Sequence, residues 1–465
     1  MAIKNILFIE PKTKNLHIYS KFNLPRLGST LLATIMQNRG YHVRVCYSTE
    51  EEIYKKNITS DLIALSTITT TAPAAYRIAQ FYKNKGIPTV IGGPHVTFCP
   101  EEALQYADYC IRGEGETALP KLVRALHFKQ SLKTVPGLVW KSKGKIHENQ
   151  IAAAVCDLDT LPFPDLSLIE YGRSTYRRNP FKKKIIPIQT SRGCPFDCTF
   201  CSVTGMFGKQ YRYRSPDNII AELEQYNPKK HHIFFYDDNF SANRKRTKEL
   251  LQKMIRLKLN FKWSTQVRAD IAKDPELLKL MKQAGCRVLY IGFESCNEEA
   301  LEEMHKSQSV RDMIWSIKKI KKQNIYIHGM FVLGFDADTR RTVESTIHFA
   351  ISQPIDSAQF LILTPLPGTE FYKKLLQDKR IIDFNWAHYD AHHVKFKPKN
   401  INGLDLQNAQ IRAHDMFYSP FNLLKKLFKG KVVSFFVGLY ANNLNNRWKK
   451  AVQVYLWYLN SVATC

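Results

Sequence analysis

Short apolar runs alternate along the first 130 residues with segments whose apolar side chains recur every three or four positions. NILFIE (Asn5 to Glu10), HVRVCY (His42 to Tyr47), DLIALSTI (Asp61 to Ile68), PTVIGGPH (Pro88 to His95) and ADYCIRGEGE (Ala107 to Glu116) have the length and composition of strands. The pieces between them, such as LGSTLLATIMQNRG and APAAYRIAQFYKNKG, have helical periodicity and stop at glycine. Strict alternation of strand and helix predicts a parallel, doubly wound sheet.

A connecting region follows. It holds a predicted hairpin, GLVWKSKGKIHE, and the proline-rich DLDTLPFPDLSLIEYG, which resists regular structure. A second alternating series then supplies six predicted strands: Ile185 to Ser191, His231 to Phe240, Phe261 to Asp270, Arg287 to Ser295, Tyr326 to Phe335 and Asp356 to Pro365. Six strand–helix units in order predict an open, partial barrel. The expected organisation is α/β: a doubly wound domain over 1–135, a linker over 136–184, a partial (β/α)6 barrel over 185–385 and a basic, mainly helical extension over 386–465.

The length of 465 residues accommodates two or three domains. Ten unevenly spaced cysteines are too few for a disulfide scaffold and suit a reducing compartment. The N-terminal apolar run is too short for a signal peptide, and VVSFFVGLY falls short of a membrane span, so a cytoplasmic protein is expected. The net charge of +27 fits a nucleic acid, an anionic membrane or an anionic substrate, and equally a solvated lysine-rich surface.

Against this background the segment SRGCPFDCTFC stands out. Cys194, Cys198 and Cys201 follow the first strand of the second series, at the end of a barrel where chemistry takes place. Soft thiolates select zinc, copper(I) or iron–sulfur clusters. A structural zinc would want four ligands, and no fourth Cys or His lies within about twenty residues. A four-iron cluster held by three cysteines keeps one iron open for another ligand.

C-x3-C-x2-C with an aromatic residue before the last cysteine (Phe200), on this loop of a six-unit barrel, resembles the radical S-adenosylmethionine (SAM) enzymes. The resemblance implies that the open iron chelates SAM and that an electron from the cluster cleaves it to a 5'-deoxyadenosyl radical. It further implies that YDDNF, with Asp237 and Asp238, holds the methionine amino group. Ser264, Gln266 and Arg268 alternate on one face of the third strand, where Arg268 can pair with the methionine carboxylate. Glu294 of GFES is placed for the ribose or the amino group, and GMFVLGF resembles the strand that backs the adenine. Asp237 and Asp238 are equally readable as a helix cap.

The first domain, with Ser66, Gly92-Gly93 and Gly113-Glu114 just after strands, resembles the cobalamin-binding domain of cobalamin-dependent radical SAM enzymes. WAHYDAHHVKFKPK is similar to a C-terminal segment of that group. No Asp occurs before Asp61, so the Asp-x-His-x-x-Gly motif that ligates cobalt elsewhere is absent after the first strand. A non-histidine group or water is expected beneath cobalt, with His17 as the alternative.

The resemblance implies methylation of an unactivated carbon on a small-molecule or lipid substrate, with flavodoxin or ferredoxin as electron donor and nucleic acid not expected. Alternatives are a methylthiotransferase acting on tRNA, which needs clustered N-terminal cysteines, a non-methylating radical cyclase or oxidase, and a non-catalytic cobalamin or redox sensor. FNLLKKLFKGKVVSFFVGLY is open to two readings: an interfacial helix on anionic lipid, or a helix that packs its apolar face on the barrel with its lysines in water.

Overall fold

The computed structural model describes residues 2–12, 24–151, 153–171 and 183–463. Its first sheet contains β1 (Asn5–Pro11), β2 (His42–Ser48), β3 (Leu62–Ser66), β4 (Thr89–Gly92), β5 (Tyr109–Ile111), β6 (Leu138–Ser142), β7 (Lys145–Glu148) and β8 (Ile169–Tyr171), in the spatial order 7-6-5-4-3-1-2-8. From β8 to β5 neighbours run parallel, while β6 and β7 join antiparallel.

Each central strand is apolar throughout because both of its faces are covered. On β1, Ile6 and Phe8 enter one core with the helices Leu27–Gln37 and Gly115–His127, whereas Leu7 and Ile9 enter another with the helix Ala72–Lys83. The chain reverses its direction of travel across the sheet between β1 and β3, so a crevice opens at their carboxyl ends.

Two pieces of the expected linker belong to this sheet. The hairpin β6–β7 extends one edge and β8 completes the other. Short antiparallel or three-residue edges cover what would otherwise be open ladders.

The second sheet is built from β9 (Lys184–Ile188), β12 (His231–Phe235), β13 (Lys262–Val267), β14 (Cys286–Glu294), β15 (Tyr326–Leu333) and β16 (Ser357–Ile362), all parallel and in chain order. Between its first two strands lies a small antiparallel ribbon, β10 (Ser191–Arg192) with β11 (Arg212–Tyr213). Outward residues such as Ile233, Phe235, Trp263, Leu289 and Ile291 share one core with the surrounding helices.

The inward residues are aromatic and polar. Nε2 of His232 lies 3.0 Å from Oγ of Ser264, Nδ1 of His328 lies 2.8 Å from Oγ of Ser357, and Tyr290 packs between Phe234 and His328. Burial lowers both His232 and His328 to about 4, so both imidazoles are neutral near pH 7.

The sheet stops at six strands, and side chains close its last edge. Tyr418, just after the helix Gly403–Phe417, accepts from the Ala358 amide at 3.0 Å and donates to its carbonyl at 2.7 Å. Two residues along β16, Nε2 of His414 accepts from the Phe360 amide at 3.3 Å and Gln410 donates to the Phe360 carbonyl at 3.1 Å. The buried ladder groups of β16 are thus satisfied without a seventh strand.

Candidate functional site

The three cysteines lie on the loop that β10 and β11 close at its base. Its geometry is built from below. Asp237, after β12, is fully buried and accepts from the amides of Thr190 at 2.7 Å and Ser191 at 2.8 Å, and from the Thr190 hydroxyl at 2.5 Å. Gly193, at φ +84°, then turns the chain so close to the Gln210 carbonyl that a Cβ would collide with it. Glycine is therefore the one residue that fits between the ribbon and Cys194. At the far side, the Phe371 amide donates to the Thr199 carbonyl at 3.1 Å, and Phe200 meets Phe335 edge to face at 5.8 Å.

The three half-buried thiols are close enough to influence one another electrostatically, and Asp238 and Arg268 act on them. Burial raises the Cys194 thiol and pushes Cys201 up to about 12, with Asp238 and Cys198 adding to both. The guanidinium of Arg268 acts the other way on Cys194 and stacks on Phe196 at 3.8 Å. Nε of Arg268 is buried with no hydrogen-bond partner among the described residues. Three soft sulfur donors on one loop, beside a guanidinium whose Nε makes no hydrogen bond among the described residues, are a donor set that fits a polynuclear metal group and a bound carboxylate. The carboxyl of Asp238 is pushed up to about 6, first by burial and then by Asp237.

Several other expected site residues have partners within the protein. Asp237 supports the cysteine loop from beneath. Ser264 is paired with His232 deep in the trough. Glu294 sits at a register shift between β14 and β15 with φ +63°, and meets Lys306 at 2.5 Å. Gly292 leaves room for that carboxylate, because a Cβ there would overlap it. A non-glycine residue held at positive φ costs free energy, which is a mark of functional sites.

Glu114 is the centre of an ion cluster between the two sheets. It takes hydrogen bonds from Nη1 of Arg212 at 3.1 Å and from the Val155 amide at 3.2 Å, and lies 3.2 Å from Nη1 of Arg192. Arg192 also reaches Glu116 at 2.7 Å. Burial alone would raise the Glu114 carboxyl, but Arg212 and Arg192 outweigh it and hold the group below its ordinary range. Both arginines belong to the ribbon at the base of the cysteine loop. Their signal in the sequence is their place on either side of the cysteines, one before GC and one in YRYR.

A cleft of about 360 Å³ joins the two halves. Its walls include Ser66, Gly92, Gly93, Gly113 and Glu114 from the first sheet and Gln189, Tyr236, Asp238 and Gln266 from the mouth of the second. Gly93, at φ +105°, passes so near the Thr67 backbone that a Cβ would overlap it, while Gly28 on the opposite wall has open space where a Cβ would stand. Backbone exposed in this way suits a broad, flat ligand such as a corrin ring. No histidine lines the cleft among the described residues, and His17 lies outside them.

Cys46 and Cys110 are buried in the core of the first sheet, on β2 and β5. Cys99 lies beside His95 and Glu102, whose carboxylate accepts from the Trp386 indole at 2.9 and 3.1 Å.

The Radical SAM superfamily matches residues 188–350 and the B12 binding domain matches residues 16–123. An uncharacterized methyltransferase of Pyrococcus horikoshii is 30% identical over 92% of this chain and 96% of its own length. The bacteriochlorophyllide d C-12(1)-methyltransferase of Chlorobaculum tepidum is 30% identical over 84% of this chain and 81% of its own. Among solved structures, the radical SAM methyltransferase TsrM from Kitasatospora setae, with cobalamin and a [4Fe-4S] cluster, superposes with a TM-score of 0.65 at 16% identity over 81% of this chain and 75% of its own. With the triplet, the cleft and the full-length kinship in place, the chain belongs to the cobalamin-dependent radical SAM methyltransferase family, whose cofactors are a four-iron cluster, SAM and cobalamin.

Proposed function

We propose that this enzyme methylates an unactivated carbon of a hydrophobic small molecule or lipid bound in the cleft between its two sheets. The observation that carries this reading is the shared cleft itself: the carboxyl ends of the cobalamin-type sheet and the mouth of the half-barrel open into one space. When bound, the cluster delivers the electron that cleaves SAM to a hydrogen-abstracting radical, and cobalamin carries the methyl group.

In this reading Cys194, Cys198 and Cys201 hold the cluster. Arg268, whose Nε makes no hydrogen bond among the described residues and stands 4.0 Å from the Asp270 carboxylate, pairs with the methionine carboxylate, and Asp238 accepts from the amino group. Ser66, Gly92, Gly93 and Gly113 would leave the backbone open to the corrin, in a cleft that no histidine lines among the described residues. Apolar cleft residues, among them Leu161, Met206 and Phe207, exclude water and favour an apolar substrate. The Chlorobaculum relative, named for methylating one carbon of a bacteriochlorophyllide, is a precedent for that class. A flavodoxin or ferredoxin is the electron donor, and the C-terminal extension is the point of contact with a membrane.

The burial of Cys46 and Cys110 runs against a methylthiotransferase, which needs those thiols gathered around a second cluster. The test is to incubate reduced, reconstituted enzyme with methyl-labelled SAM and candidate lipids. Formation of 5'-deoxyadenosine together with label on a substrate carbon is expected. 5'-Deoxyadenosine with an unmethylated, dehydrogenated or cyclised product would overturn methylation while keeping the radical step. The Cys198→Ala variant is expected to lose cluster iron and all 5'-deoxyadenosine.

A further inference from the structure

We infer that the helical hairpin formed by Pro420–Phe428 and Val432–Ala451 docks the enzyme on the surface of an anionic bilayer. The two helices carry their amphipathicity inside out. In Val432–Ala451 the buried stripe is Ser434, Gly438, Ala441, Leu444, Asn445 and Trp448, mostly small or polar at its first half. The opposite stripe, Val433, Phe436 and Leu439, stands in water. In the shorter helix only Leu423 is buried, while Phe421, Leu424 and Phe428 recur outward at three- and four-residue spacing, with Phe421 74% and Phe428 87% exposed.

The small residues are inside for a packing reason. Gly438 lies so near Leu423 that a Cβ would overlap it, so the two helices cross in close contact. That crossing fixes which stripe faces outward. Of twenty large hydrophobic residues exposed among the described residues, nine belong to these two helices, a concentration that scattered surface residues do not show. The alternative reading, an apolar face packed on the barrel, holds for Leu423, Leu444 and Trp448 but leaves the phenylalanines unexplained.

Charge identifies the occupant. No Asp or Glu follows Asp415 in the sequence, and Lys425 and Lys429 are exposed beside the outward phenylalanines. A second copy meeting this face through a twofold axis would set lysine against lysine. Anionic headgroups over an acyl layer match both the lysines and the phenylalanines. No helix among the described residues is long and apolar enough to cross a membrane, so the contact is peripheral.

The hairpin is also held rigidly. Lys426 donates to the Asp356 carbonyl at 3.0 Å and Lys431 meets the Asp356 carboxylate at 3.2 Å, at the amino end of β16 and away from the cleft. Docking therefore leaves the cysteine loop free, and the inference goes beyond the reaction reading without depending on it.

The test is sedimentation of full-length, reconstituted enzyme with vesicles of phosphatidylcholine alone or mixed with phosphatidylglycerol. The wild type is expected to pellet with the mixed vesicles, and added salt to weaken it. The combined variant Phe421→Ser, Phe428→Ser, Phe436→Ser should lose at least about tenfold in vesicle affinity, or about 1.4 kcal/mol. Its melting temperature and its 5'-deoxyadenosine yield in buffer should stay unchanged. Lys425→Glu with Lys429→Glu should abolish the preference for phosphatidylglycerol. Wild-type protein that stays in the supernatant with both vesicle types, or a serine variant that pellets like wild type, would overturn the inference. So would a dimer in sedimentation velocity that the serine variant dissolves while vesicles capture neither protein. Loss of 5'-deoxyadenosine with vesicle binding intact would count against the reaction reading only.

Discussion

Glu114 shows how one carboxylate can look like a ligand contact and serve as a joint. Replacing it with alanine leaves Arg212, only 2% exposed at its side chain, without its buried counter-charge. The expected loss is about 3–5 kcal/mol of stability, seen as a lower urea midpoint, and an Arg212→Met partner substitution should recover part of it. Gly93→Ala acts differently. At φ +105° and against the Thr67 backbone, an added methyl forces β4 and β3 to separate at the cleft, so bound corrinoid should fall well before iron content does.

At this scale the sequence was informative about type and silent about allegiance. The triplet declared itself through thiol softness and the lack of a fourth ligand. Asp237 and Asp238 are adjacent and chemically identical, yet the chain leaving β12 turns one into the protein beneath Thr190 and the other to the cleft. Which acid is already spent depends on residues dozens of positions away, and no local pattern records that.

Elements tell a similar story. Apolar runs marked the parallel strands β1 to β5 and the six strands of the second sheet, because buried parallel strands are apolar on both faces, whereas the three-residue edge strand β8 lies in a proline-rich segment that the sequence reads as irregular. The same pattern placed the β6–β7 hairpin correctly but could not say that it would pair with β5, since pairing partners leave little trace in a strand's own residues. The closure of β16 by Tyr418, His414 and Gln410 was equally hidden. Tyr418→Phe removes the hydroxyl that serves both backbone groups of Ala358, and a loss of about 1–3 kcal/mol is expected. Faster amide exchange confined to β16 would identify the cause.

Another element-level device is Asp336 after β15, which meets Arg380 at 2.6 Å and Lys374 at 3.0 Å. Burial works to raise its carboxyl, but Arg380 and Lys374 prevail and hold it at about 2, below its ordinary 3.8. A carboxyl with a depressed folded-state pKa stabilises the fold fully above its unfolded pKa, and that contribution fades as pH falls through the folded value. The stability gap between wild type and Asp336→Asn, about 1 kcal/mol after solvent screening, should therefore hold above about pH 4 and close between about pH 4 and pH 2.

For the whole molecule, the C-terminal extension is a brace. Its Trp386 reaches Glu102 of the first domain, while Trp448, Tyr455 and Leu459 are buried in the core of the second. Removing residues 386–465 is expected to unfold the barrel, visible as loss of a cooperative melt, whereas Trp386→Phe should cost only about 1–3 kcal/mol by leaving Glu102 without its indole donor. Membrane binding is for that reason a question for surface substitutions and not for truncation. The charge of +27 fits an anionic partner and equally a solvated lysine-rich surface. The docking proposal rests instead on which helix faces the packing leaves exposed.

The ribbon at the foot of the cysteine loop has one more consequence. Both of its arginines grip acids of the opposite domain, so a hinge that swung the halves apart would have to break every one of those pairs at once. The ion cluster thus ties the foot of the cysteine loop to the carboxyl ends of the first sheet, and any separation of the two halves carries the cost of unpairing buried charges.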